Sequence, residues 1–154
     1  MVYRNNAVSG TTLGNNQIAN QYIKGVNAGP VKVVLMNGGG NDCVQANNAS
    51  GAYAAAMSLL QMMGPKNTES VIYFFYPDPL GTFSGGTLKT CLDTLRPQLK
   101  MLCERLTAPK CYFVDLRPGW MQSHTSDGIH PTSAGGKLVG DQLWATMQQR
   151  CIAQ

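Results

Sequence analysis

Residues 31–42, Val31-Lys32-Val33-Val34-Leu35-Met36-Asn37-Gly38-Gly39-Gly40-Asn41-Asp42, pass from an almost unbroken apolar run directly into glycines and a polar pair. An apolar run without alternation suits a strand covered on both faces, as in a parallel sheet between helices. The glycine-rich loop then leaves the carboxyl end of that strand, the edge where open α/β sheets bind ligands. Residues 71–76 (VIYFFY) and 111–116 (CYFVDL) share this β-rich character, and residues 3–8 read as a further strand.

Helical patterns lie between these runs. Residues 16–25 form a short segment ending at a glycine, and residues 52–63, rich in Ala, Leu and Met, stop at Gly64-Pro65. Leu88, Leu92, Leu95, Leu99, Leu102 and Leu106 recur every three or four residues, one apolar stripe that Pro97 is expected to kink or divide. Residues 133–149 form the last helix, with Ser133 as N-cap and Leu138, Leu143 and Met147 facing inward. Strand and helix alternating in this rhythm imply a parallel sheet with right-handed crossovers.

The 154 residues are 44% hydrophobic and 13% charged, the composition of a globular chain with the length of one domain. Twelve Lys and Arg against eight Asp and Glu give a net charge of +4, but the basic residues are scattered, so no nucleic-acid partner is indicated. No apolar stretch approaches the ~18 residues of a membrane span. The opening MVYRNNAVSG shows no basic start followed by an apolar run, so no signal peptide is visible. Cys43, Cys91, Cys103, Cys111 and Cys151 lack C-x-x-C spacing, which argues against zinc or a thioredoxin-like motif. Cys103 and Cys111 flank a helix-to-strand connection and Cys43 and Cys91 each follow a strand, which permits two bridges; five free thiols are the equal alternative.

The loop 38–42 lacks the lysine and hydroxyl of a P-loop and the G-x-G-x-x-G spacing of a dinucleotide fold, so neither a nucleotide nor any other cofactor is expected. It reads as a turn closed by an Asx hydrogen bond, or as a bend that projects the Asn41 amide into the crevice as an oxyanion donor. In Ser126-Asp127-Gly128-Ile129-His130-Pro131 the D-x-x-H spacing lets one turn carry a carboxylate that holds one imidazole nitrogen while the other acts as a base. The plain alternative is a capping or turn aspartate beside a surface histidine. His124 reads as a loop residue. A zinc site of His124, Asp127 and His130 is disfavoured, because no fourth ligand or known ligand spacing accompanies them; no metal is assigned.

Together, Ala7-Val8-Ser9-Gly10, Gly39-Gly40-Asn41-Asp42 and Asp127-Gly128-Ile129-His130-Pro131 resemble, in order, the second, third and fifth blocks of the SGNH, or GDSL, hydrolase superfamily. The resemblance spans nearly the whole chain and implies a flavodoxin-like three-layer α/β/α sandwich with a parallel sheet. It also implies hydrolysis of small esters, thioesters or acetylated sugars, with the Gly10 N–H and the Asn41 amide as oxyanion donors, His130 as general base and Asp127 as its orienting carboxylate. Such proteins are often exported, which the cysteines would suit.

The family's first block, a strand ending in Gly-Asp-Ser with the nucleophile, would precede Val2; no such segment occurs in the 154 residues. Ser9 belongs to the second block, and no nucleophile is identified. The expectation is therefore one SGNH-like domain over residues 1–154, N-terminally incomplete, with its first strand missing and little or no activity. The alternative is a non-catalytic acyl- or carbohydrate-binding or oligomer-forming module on the same fold. In the family's sheet the first strand lies between the second and third, so its loss would leave residues 3–8 and 31–36 two spacings apart, ~9.6 Å. Unpaired backbone there favours a homodimer formed by strand donation or edge pairing. Trp120, Tyr76 and Phe83 are candidates to line an acyl or sugar pocket, although packing is the commoner role of such residues.

Overall fold

Alternation along one strand divides the interior into two layers. In the computed structural model, which describes residues 2–66 and 68–152, β2 (Ser70–Phe75) sends Val71, Tyr73 and Phe75 to one face and Ile72 to the other, all fully buried. The first face meets α1 (Gln17–Asn27), α3 (Ala49–Met63) and α4 (Gly86–Arg105) through Ile18, Leu60, Leu95 and Leu99. The opposite face meets α5 (Ser133–Gln149), where Val139, Leu143 and Met147 pack on Ile72, Val114 and Leu116.

The sheet is parallel, in the order β1 (Val33–Met36), β2, β3 (Lys110–Asp115), with Val33 opposite Ser70 and Ser70 opposite Lys110. Helices on both faces of a parallel sheet make the expected three-layer α/β/α arrangement. No helix among the described residues is long and apolar enough to cross a membrane.

Four local expectations need correction. Residues 3–8 join no ladder; Tyr3 is 79% exposed and Val8 60%, and the segment is tethered where Arg4 Nη1 donates to the Pro30 carbonyl at 3.4 Å. Extended backbone becomes a strand only beside a partner edge, and β1 pairs solely with β2. Pro97 does not divide its helix, which runs unbroken from Gly86 to Arg105. Leu92, Leu95, Leu99 and Leu102 press both halves onto the core, outweighing the lost backbone bond. The cap of α5 is Thr132 rather than Ser133: its hydroxyl accepts from the Gly135 N–H at 3.3 Å. Finally, α1 extends past Gly25 to Asn27.

Both permitted disulfides form. Cys43–Cys91 joins α2 (Gly40–Ala46) to α4 with Cα atoms 5.6 Å apart, and Cys103–Cys111 joins the end of α4 to β3 at 4.7 Å. Cys151 is free and exposed.

Candidate functional site

The glycine loop after β1 is less a turn than the start of a helix. Gly39 leads into α2, and Gly40 stands against the Tyr76 ring so closely that a Cβ would fall 2.6 Å from Cδ2. A side chain at 40 would have to displace the Tyr76 ring or the loop. Burial and the charge of Asp42 raise the Tyr76 phenol above its ordinary pKa, so the ring packs there in neutral form.

Asn41 occupies the second position of α2. Its Nδ2 donates to the Thr11 carbonyl at 2.9 Å, which fixes the amide plane and leaves the second N–H unspent. One turn further on, Gln45 Nε2 donates to the Gly10 carbonyl at 2.9 Å. Gly10 and Asn41 are thus brought to one place. Gly10 lies on exposed irregular backbone, because residues 3–8 form no strand before it.

Asp42 was not singled out by its sequence, yet it builds this corner. It is 4% exposed; Oδ2 accepts from the Leu13 N–H at 2.9 Å and Oδ1 from the Gly14 N–H at 2.8 Å. A buried carboxylate is tolerable only with such partners, and here it ties residues 10–14 to α2. The signal available in the sequence was a carboxylate two positions after the glycine run.

Residues 125–131 form a closed loop. Thr125 and Pro131 make an isolated antiparallel bridge, the Ser126 N–H donates to the His130 carbonyl at 2.9 Å, and the Gly128 N–H donates to Thr125 Oγ1 at 2.9 Å. Within it His130 Nδ1 stands 2.7 Å from Asp127 Oδ2, while Asp127 Oδ1 accepts from the Ile129 and His130 N–H groups at 2.9 and 2.8 Å. The His130 backbone N–H, then its ring, then the Ile129 N–H hold the Asp127 carboxyl well below the usual carboxylate range. An ionised carboxylate can only accept, so the bond requires the proton of neutral His130 on Nδ1 and leaves Nε2 with its lone pair.

His124 shows the opposite tautomer. Its Nδ1 accepts from the Met121 N–H at 3.1 Å, which places the proton of the neutral ring on Nε2, and the ring lies 5.7 Å from that of Trp120. Among the described residues no group of His, Cys, Asp and Glu is arranged to hold a metal.

The loop after β2 joins the two clusters. Leu80 donates its N–H to the Gly128 carbonyl at 2.9 Å, and the Leu80 carbonyl lies where a Cβ on residue 128 would stand. With φ +97°, position 128 is doubly suited to glycine. Phe83 is 41% exposed beside Gly128, whereas Tyr76 packs under Gly40 and Trp120 is half-buried against Gly135. Of the three aromatic candidates only Phe83 faces open space at the turn. Arg96, unnoticed within the leucine stripe, donates to the Tyr76 carbonyl at 2.7 Å, to Asp115 at 3.0 Å and to Asp78 at 2.9 Å. A cation on a stripe of leucines was the sequence signal for it.

The Gly10–Asn41 corner and the Asp127–His130 turn share no hydrogen bond among the described residues, but Asn41 follows the carboxyl end of β1 and the turn follows that of β3. A parallel sheet with helices on both faces thus carries the amide corner and the Asp–His pair in its loops. A family model described as the GDSL-like lipase/acylhydrolase family matches residues 1–138, and the chain belongs to that family.

Among solved structures, the chain is similar to a carbohydrate esterase of family 3 from Talaromyces cellulolyticus, with a TM-score of 0.73 and 21% identity over 92% of this chain and 68% of that one. It is also similar to an acetyl esterase variant with an acetate ion, with a TM-score of 0.72 and 21% identity over 94% and 71%. A GDSL-like lipase from Bacteroides thetaiotaomicron gives a TM-score of 0.62 and 16% identity over 92% and 73%. No curated protein matches the chain in sequence.

Proposed function

We propose that residues 1–154 form one domain that carries the oxyanion and acid–base parts of an ester-hydrolase site for small esters or acetylated sugars. The Asp127–His130 bond of 2.7 Å is the observation that carries this reading. Asp127 orients the imidazole, and Nε2 of His130 takes a proton from an attacking hydroxyl. The second N–H of Asn41 and the N–H of Gly10 receive the developing oxyanion. Acetate and carbohydrate esters are the favoured class because the similar structures include an acetyl esterase and carbohydrate esterases.

The hydroxyl to be activated is not supplied by the residues described. No Gly-Asp-Ser occurs in the sequence, and Ser126 Oγ donates to the His130 carbonyl at 3.3 Å rather than to the ring. Loss of a serine nucleophile lowers turnover by ~10⁶, so the 154-residue chain by itself is inactive or weakly active. The second reading, a binding module for acylated or carbohydrate ligands, rests on the same observation.

Hydrolysis of p-nitrophenyl acetate and of an acetylated sugar by the parent, Asn41→Ala and His130→Ala tests the assignment. Wherever the parent shows activity, Asn41→Ala should lower kcat by ~10²–10³ with little change in KM. Equal rates above the uncatalysed background in all three proteins would refute the assignment of these residues. Binding of an acetylated sugar without turnover, measured by calorimetry, would favour the module.

A further inference from the structure

We infer that Arg96, which touches no reacting group, is a positioning residue for the His130 imidazole, acting through Asp78 and Leu80. The inference rests on the reading of Asp127 and His130 as an acid–base pair. Arg96 is 4% exposed, and its guanidinium carbon lies 5.1 Å from the centre of the Phe75 ring. Nη1 holds the Tyr76 carbonyl at 2.7 Å and Asp115 Oδ1 at 3.0 Å, while Nη2 holds Asp78 Oδ1 at 2.9 Å. One planar group therefore fastens the loop after β2 to the end of β3.

That loop depends on it. Tyr76-Pro77-Asp78-Pro79-Leu80 contains two prolines, so two of its backbone positions have no N–H, and the loop is held through its acceptors instead. Two residues beyond Asp78, the Leu80 N–H donates to the Gly128 carbonyl at 2.9 Å, and the Leu80 backbone fills the space a side chain would need at 128. Gly128 is the residue after Asp127. A shift of the loop moves the turn, because residues 125–131 are held from outside, among the described residues, by hydrogen bonds only through Leu80 and through the Thr125 N–H, which donates to the neighbouring Gln122 carbonyl at 3.3 Å. The outer pair of Arg117 with Asp115 keeps the second carboxylate engaged independently of Asp78.

The chain contains two histidines, and they stand in opposite tautomers, which supplies an internal control. Long-range ¹H–¹⁵N correlation spectra of uniformly labelled protein, at a pH where both rings are neutral, report the tautomer of each. In the parent His130 should appear as the Nδ1–H form and His124 as the Nε2–H form.

Asp78→Ala should convert the majority of His130 to the Nε2–H form while His124 stays unchanged, with a fall in melting temperature because the buried Arg96 loses one of its two carboxylate partners. Asp78→Asn, which keeps an acceptor for Arg96, should restore most of the Nδ1–H form. Arg96→Met should act as Asp78→Ala does, at some cost in stability. His130 remaining Nδ1–H in Asp78→Ala, or His124 shifting in parallel with it, would overturn the inference. Failure of the underlying pair is read separately: a parent in which His130 is already a mixture, or an Asp127→Asn variant that leaves its tautomer unchanged, would remove the acid–base reading itself.

Discussion

At Asp127 the turn gathers donors around one exposed carboxylate: two backbone N–H groups and an imidazole. The folded-state pKa therefore lies below the unfolded value of about 3.9. The contribution of the pair is fully present above that unfolded value, and it is lost as the pH falls towards the lower folded value. Between about pH 5 and pH 2, Asp127→Asn should show a shallower fall of stability with decreasing pH than the parent, measured by urea midpoints across that range. An identical slope would mean that the bonds do not persist in solution. The D-x-x-H spacing made this pair legible, because both partners lie on one turn and local geometry suffices. Asp42 was not legible as a structural group, since its partners are the backbone N–H groups of Leu13 and Gly14, nearly thirty residues earlier.

Among the elements, α2 shows how a weak segment is made to hold a site. It has seven residues and no basic residue in its last turn, well below the length at which an isolated helix is stable. Its support is tertiary: the buried Asp42 on one side and the Cys43–Cys91 bridge to α4 on the other, closing a sequence separation of 48. In the chain-entropy description a loop of that length corresponds to about 4 kcal/mol. Cys43→Ser with Cys91→Ser should lower unfolding stability in urea by about 2–4 kcal/mol, with hydrogen exchange accelerated first in residues 40–46. The helix α4 is the stronger partner because its leucine stripe is buried along the sheet on both sides of Pro97. The stripe could be read from its period, but not the outcome at proline, since a local rule cannot weigh a lost backbone bond against tertiary burial.

For the molecule as a whole, β1 and β3 are the two edges of the described sheet, and the edge of β1 is the one beside an exposed apolar side chain. It pairs on one side only, and Leu35 is 43% exposed on the face where α5 covers β2 and β3. An unpaired edge beside an exposed leucine is a template for another strand. Pairing with a second copy is the association we propose; light scattering at high protein concentration should give a mass above the monomer, and Leu35→Lys should return it to the monomer. A strictly monomeric parent would refute it. The parallel sheet, its core strands and the Asp–His turn were determined by the sequence itself, since hydrophobic period and short-range spacing are local properties of the chain. Whether residues 3–8 form a strand, what Arg96 and Asp42 bind, and whether the cysteines bridge were decided only by the tertiary structure. Most depend on a partner far along the chain, and pairing at a distance leaves no period in the sequence to read.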